Sequence, residues 1–287
     1  MKYIFPRFPN GLSKAATFSY DDAVRQDIRL AALLDKHGLK GSFNIYTAIF
    51  EREIPNRMTL DEIREHILEK GHEVALHGHN HIGSGSAHPI NCIRESLTSR
   101  EFLEKSFGRI IRGMAYPDNG VSRFSNGNNY ETVKNSLRSL GIVYARTLRG
   151  DNNSFELPDD WYAWMPTAHH NNPKLSEWVD EFISLDVERE YVSRRYPRLL
   201  KIWGHSSEFD INNNWDIIER ICERLGDRND IWFATSIEIY EYMRAYDSLV
   251  FSADSSIVYN PTVTAVWFYI DGKIYKVDAG KTIKIED

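Results

Sequence analysis

Six of the ten histidines, and two pairs of neighbouring polar residues, stand at or just after runs that read as β-strands. Asp21 and Asp22 close AATFSYDD, and His77, His79 and His81 close or follow HEVALH. Asp118 and Asn119 follow RGMAYP, His169 and His170 follow YAWMPT, and His205 ends LLKIWGH. Adjacent acids are ordinarily a solvated loop or a helix N-cap. In an extended segment, however, neighbouring side chains point opposite ways, so one carboxylate can hold an ion while the other faces a water. His77-x-x-x-His81 at a strand end lets one turn bring two imidazoles to the same ion. A carboxylate and two imidazoles leave coordination positions open, as a catalytic site requires. One divalent ion is therefore expected, and this donor set favours Zn²⁺. The competing reading is a His-rich solvated loop.

Other patterns do not carry chemistry. Gly204-His205-Ser206-Ser207 has Glu208 where the second glycine of a nucleophile elbow belongs. GSGS at 83–86 is not a dinucleotide fingerprint. Cys92 and Cys222 form no C-x-x-C and no disulfide framework.

The elements that must position these residues alternate. After strand 15–22 comes the helical pattern VRQDIRLAALLDKHG, then the strand GSFNIY. TLDEIREHILEKG opens with Thr59 and Glu62 in capping-box spacing. Strand HEVALH and helix 92–108 follow, then strands RGMAYP, IVYAR, YAWMPT, LLKIWGH and IWFAT with helices at about 130–140, 174–187 and 214–226 between them. Seven or eight such units in 1–249 predict an α/β chain closed into a parallel barrel, whose C-terminal strand ends carry the chemistry. A doubly wound open sheet is the alternative. Residues 250–287 alternate as strands around Asp271-Gly272 and predict a small β appendage.

Composition narrows the partners. The 287 residues are 42% hydrophobic and carry Lys+Arg 35 against Asp+Glu 41. A mildly acidic chain without a basic block is not expected to bind nucleic acid or an anionic membrane. No run approaches a membrane span, and MKYIFPRFPNGLSK lacks a signal-peptide core, so a cytoplasmic location is expected. Oligomeric state leaves no mark in the sequence.

TFSYDDA, GHEVALHGHNH, GMAYPDNG and IWGH, in this order and spacing, resemble the polysaccharide deacetylases, the NodB-homology carbohydrate esterases of family 4. The resemblance spans roughly 12–245. It implies a distorted (β/α)7 barrel and an acetylated saccharide as substrate. It also implies Asp21 as general base, Asp22, His77 and His81 as metal ligands, and His205 as general acid. His79 would then be an outer-shell or substrate residue. The family's third motif has an Arg before Pro-Tyr-Gly, and the Tyr backbone N–H helps form the oxyanion hole. Here Ala115-Tyr116-Pro117-Asp118-Asn119-Gly120 lacks that Arg and carries an inserted residue, so Asp118 or Asn119 would supply the N–H. Arg112 is a candidate to reach back to that place. Asp159-Asp160-Trp161 loosely matches the fourth motif, whose acid and Trp line the pocket and orient the acid histidine. His169 and His170 have no counterpart in the commonest members.

Two rivals stand beside this reading. An amidohydrolase-type barrel would use His77-Gly-His79 as its metal pair. A carbohydrate-binding protein that has lost catalysis would explain the missing Arg, but would not need Asp21, Asp22, His77, His81 and His205 together.

Overall fold

The computed structural model describes residues 3–52, 54–148 and 151–285. The strands are β1 (Ile4–Arg7), β2 (Lys14–Asp21), β3 (Gly41–Ile45), β4 (Glu73–Leu76), β5 (Gly113–Ala115), β6 (Tyr144–Arg146), β7 (Ala168–His169), β8 (Arg198–Gly204) and β9 (Trp232–Phe233), followed by β10 (Val250–Phe251), β11 (Ile257–Tyr259), β12 (Val266–Ile270), β13 (Lys273–Val277) and β14 (Thr282–Lys284). The helices are α1 (Gln26–Lys36), α2 (Leu60–Ile63), α3 (Pro89–Phe107), α4 (Tyr130–Ser139), α5 (Leu175–Ser184), α6 (Ser207–Ile211), α7 (Trp215–Leu225) and α8 (Ser236–Asp247).

β2 to β9 form one parallel sheet, ordered β6-β5-β4-β3-β2-β8-β7, with β9 also paired to β2. β2 and β3 are buried at every residue, as parallel strands covered by helices on one side and a filled barrel on the other must be. The longer helices bury one face against this sheet. On α7 the stripe is Trp215, Ile218, Ile221, Cys222 and Leu225, at helical spacing. The expected capping box is present, with Thr59 and Glu62 bonded reciprocally at the start of α2.

The ring closes between β6 and β7 by an irregular segment rather than a ladder. Trp164 N–H donates to Ala145 O at 3.1 Å, and Thr147 N–H donates back to Trp164 O at 3.0 Å. Three residues on, Thr167 N–H donates to Lys201 O at 2.8 Å. The expectation of a strand over YAWMPT is thus corrected. Asp160 caps a 3-10 turn at Trp161–Ala163, Pro166 has no N–H to give a ladder, and regular pairing begins at Ala168. The result is a distorted (β/α)7 barrel.

The β12–β13 hairpin turns at Asp271 and Gly272, both at positive φ (46° and 93°). Such a turn matches the twist of its strands. β12 also pairs antiparallel with β1, so the N-terminal strand joins this sheet, while β10, β11 and β14 form a second one. Val258, Val266, Phe268, Ile270 and Val277 make the core of this region, which Ala245 of α8 shares. Among the described residues no helix is long and apolar enough to cross a membrane.

Candidate active site

The C-terminal end of β2 is where the polar residues meet. Asp21 is wholly buried. Its Oδ1 accepts from Asn44 Nδ2 (2.8 Å) and Arg146 Nη2 (2.7 Å), and its Oδ2 accepts from Arg146 Nη2 at 2.5 Å. Burial would push this carboxyl up. Arg146, His77 and His205 outweigh that and hold it below its ordinary value, so Asp21 is a carboxylate at neutral pH. The next residue turns away: Asp22 has φ +81° and Ala23 φ +52°.

Two clusters bring carboxylate and imidazole atoms within 4.8 Å of one another: Asp22, His77 and His81, and His169, His170 and Glu208. Hydrogen bonding separates them. In the first, His77 Nδ1 lies 2.9 Å from the Ala115 carbonyl, which fixes the proton on Nδ1 and leaves the Nε2 lone pair free. Burial, working against the pull of Asp21, holds His77 below the usual imidazole value and therefore neutral. Asp22 Oδ1 faces His77 Nε2 at 3.7 Å and His81 Nε2 at 3.6 Å. That oxygen is buried without a hydrogen-bond partner among the described residues, an arrangement a cation resolves. The donor set fits a divalent ion of the zinc class.

The second cluster is built the other way. His169 Nδ1 accepts the Asn171 backbone N–H at 3.2 Å, so its proton sits on Nε2, 3.4 Å from Glu208 Oε2. His170 Nδ1 faces Gly204, where a Cβ would lie 2.0 Å away, and its Nε2 is 3.2 Å from the same oxygen. Asn171 Nδ2 donates to Glu208 Oε2 at 2.6 Å and His205 Nδ1 meets Oε1 at 2.9 Å. His169 thus turns its Nε2 proton toward Glu208, whereas both ring nitrogens of the buried His170 have no hydrogen-bond partner among the described residues. Burial would raise Glu208, but the three histidines pull it far below the ordinary carboxylate value. Burial likewise opposes the charge on His205, yet Glu208, Asp21 and Asp22 raise it to about 9. His205 Nε2 points back at Asp21 Oδ2, 4.0 Å away.

Four non-glycine residues here sit in the left-handed region: Asp22, Ala23, His81 and Asp118. Each such residue costs of order 1–3 kcal/mol and persists only where its surroundings hold it. For His81 the holder is Glu95 of α3. Its Oε2 accepts from the backbone N–H of His79 (3.0 Å) and Asn80 (2.6 Å), and its Oε1 from Asn80 Nδ2 (2.8 Å).

Several expected residues land elsewhere. His79 bonds Thr47 Oγ1 at 2.8 Å and faces Glu51, apart from the Asp22 cluster, so the H-x-H pair is not formed. Tyr116 is buried with its hydroxyl on Tyr162 O, and its backbone N–H is spent on Arg146 O at 3.0 Å. It is no oxyanion donor. The backbone N–H groups of Asp118 and Asn119 donate to no acceptor among the described residues. Trp161 packs on Trp164 and on Tyr240 of α8, and Asp160 binds Tyr130 and Lys134, so neither orients His205. Asp159 borders a cavity of about 790 Å³ beside β1, away from the site and holding none of its residues. Arg112 is paired with Glu241.

The arginine that meets Asp21 comes from the end of β6. Arg146 grips Asp21 with its guanidinium 4.4 Å from the Trp203 ring centroid. IVYAR ends on that arginine, so the strand-end rule that picked the histidines reaches it too. Glu208 follows His205 by three residues, one helical turn, which was likewise visible in sequence.

Residues 10–145 match the family described as Polysaccharide deacetylase. No curated protein matches the chain in sequence. Among solved structures, Puue allantoinase is 13% identical with a TM-score of 0.59, covering 83% of this chain and 92% of that one. A Mycobacterium smegmatis protein described as a polysaccharide deacetylase is 16% identical with a TM-score of 0.51, over 85% of this chain and 94% of that one. The Streptococcus pyogenes deacetylase PplD, in complex with acetate, is 21% identical at a TM-score of 0.41. That match covers 46% of this chain and only 55% of PplD. These identities speak to the fold alone, and the family rests on the sequence match. The match to the family described as Polysaccharide deacetylase thus takes in Asp21, Asp22, His77 and His81 and just under half of the chain.

Proposed function

We propose that the chain is a metal-dependent hydrolase that removes N- or O-linked acetyl groups from a saccharide. The observation that carries this reading is the buried, unpartnered Asp22 Oδ1 facing two imidazole nitrogens, with Asp21 and His205 beside it. Asp22, His77 and His81 would hold the ion, which when bound lowers the pKa of a water and polarises the acetyl carbonyl. Asp21, kept ionised by Arg146, takes the proton of the attacking water. The backbone N–H of Asp118 or Asn119 donates to the developing oxyanion. His205, held in place through Nδ1 by Glu208, protonates the departing amine or hydroxyl from Nε2. His169 and Trp203, which pack edge to face at 4.7 Å, flank that proton donor on the leaving-group side.

The test is acetate release from acetylated chito- and xylo-oligosaccharides and acetylated monosaccharides, with and without chelator. Release that chelator abolishes and Zn²⁺ restores is the expected result. Metal content should fall in His81→Ala and persist in His79→Ala; the reverse would return the H-x-H amidohydrolase reading. Tight saccharide binding without any acetate release would leave the non-catalytic binding protein.

A further inference from the structure

Asp27 is a third acid near the reacting centre, five residues after Asp22 and outside both histidine clusters. It stands in the first turn of α1, where an acid ordinarily stays at the surface and favours the helix dipole. Asp27 is instead wholly buried. Nor does it cap its own helix, whose N-cap is Arg25 with no side-chain bond. Its Oδ1 accepts from Ser206 Oγ at 2.6 Å, and Ser206 is buried as completely. Its Oδ2 has no hydrogen-bond partner among the described residues. Burial raises this carboxyl well above its ordinary value; the Ser206 bond pulls against that, and Asp22 and Asp21 push it further up. A buried acid with one oxygen unpartnered is costly, and an apolar pair in its place would avoid the cost.

What the bond joins accounts for it. Asp27 N–H donates to Val24 O at 2.9 Å, closing the turn in which Asp22 and Ala23 hold positive φ. Ser206 follows His205 directly and precedes α6, and the Glu208 N–H donates to His205 O at 3.0 Å. The Ser206–Asp27 bond therefore ties the turn after β2, which carries Asp22, to the turn after β8, which carries His205 and Glu208. Across this joint His205 Nε2 stands 4.0 Å from Asp21 Oδ2. The flanking bonds, Gln26 to Asp210 at 2.7 Å and Arg29 to Glu219 at 2.9 Å, are exposed, and such surface contacts hold little.

We propose that Asp27 is a positioning residue, which through Ser206 holds the general acid His205 in register with Asp21. The inference rests on the hydrolase reading for the role of His205. Asp27→Ala and Ser206→Ala break the bond from opposite sides, so the second carries the test if the first does not fold. At unchanged metal content, each should lower kcat on an acetylated saccharide at least about tenfold with KM within about twofold, since a misplaced group can cost about 100-fold. An aryl acetate, whose phenolate leaves without a proton, should lose less than about threefold. Asp27→Asn keeps the Oδ1 acceptor and should recover most of the rate. Without the ion, the His205 ring should give single NMR signals in the parent and in Asp27→Asn, and shifted or doubled ones in Ser206→Ala. Parent-like kcat in Ser206→Ala, equal losses on both substrates, or an Asn variant as slow as Ser206→Ala would overturn the proposal. So would His205 signals in Ser206→Ala that match the parent. A parent that releases no acetate would count against the hydrolase reading alone, and the NMR comparison would still decide whether Asp27 places His205.

Discussion

Asp21 and Asp22 are neighbours in sequence whose carboxylates differ in what each oxygen touches. Asp22 offers an unpartnered oxygen to two imidazoles, whereas Asp21 is held by Arg146 and Asn44 with acceptor capacity left on Oδ2. Asp21→Asn should therefore retain the ion and lose about 10²–10⁴ in rate, as loss of a general base does. Metal analysis beside acetate release checks both halves. His205 makes a pH statement. Burial alone would lower it, but Glu208, Asp21 and Asp22 raise it to about 9 from 6.5. A general acid must be protonated, so the rate should hold through neutrality and fall as pH rises past about 9. The sign for stability is the same: the extra stability from that proton is full below the usual imidazole value and fades as pH climbs to the raised one. Glu208→Gln should move the alkaline limb downward. In the ion-free protein, His205 followed by NMR should titrate lower by the same amount. A limb left in place would show that Glu208 does not act on His205.

At the scale of the element, β8 delivers His205 only because it ends on a glycine. A Cβ at Gly204 would lie 2.0 Å from His170 Nδ1. Gly204→Ala must therefore push His170 off Glu208, at about 1–3 kcal/mol for overpacking. The expected result is a lowered Tm together with an upward-shifted His205 titration, because Glu208 loses a competing partner and His205 a neighbouring imidazole. An unchanged titration would mean that the histidine cluster is not transmitted through Glu208. The β4 loop shows the same dependence on a neighbouring element. His81 holds its left-handed backbone because Glu95 of α3 takes the two preceding N–H groups. Glu95→Ala should lower metal occupancy without touching a ligand, while Glu95→Gln, which still accepts, should recover part of it. Equal occupancy in Glu95→Ala and the parent would remove Glu95 from that role.

For the molecule as a whole, the appendage is bound into the barrel's stability. Tyr242 of α8 donates to Arg7 O at 2.8 Å and accepts from Trp267 N–H at 3.0 Å, which joins α8, β1 and β12. The buried Arg7 lies 4.6 Å from the Tyr269 ring centroid. Burial pulls this guanidinium down, and Glu188 and Tyr269 oppose that. Truncation after Ser248 would uncover Arg7 and the apolar face of α8. Loss of several buried aromatic and aliphatic side chains, at about 3–5 kcal/mol for a large one, should lower Tm by on the order of 10 °C or more. Calorimetry showing two separate transitions in the parent would mean that the two parts are independent.

Periodicity and strand-end position were enough to place Asp21, Asp22, His77, His81 and His205 on one rim, because parallel β/α units put successive strand ends on the same side. Local turn chemistry likewise announced the Thr59 capping box and the Asp271-Gly272 hairpin, since those signals need no distant partner. What stayed hidden depends on which side chains meet across the sheet. Arg146 reaches Asp21 over 125 residues of chain, and Glu208 meets His169 and His170 from another segment. Trp161 and His79 look like site residues in the sequence and pack elsewhere. Residue type and spacing state what a group can do. Which ring nitrogen carries the proton was decided only when β4 brought His77 beside the Ala115 carbonyl of β5 and the turn after β7 brought the Asn171 N–H onto His169, because a tautomer is set by the neighbour on the other nitrogen.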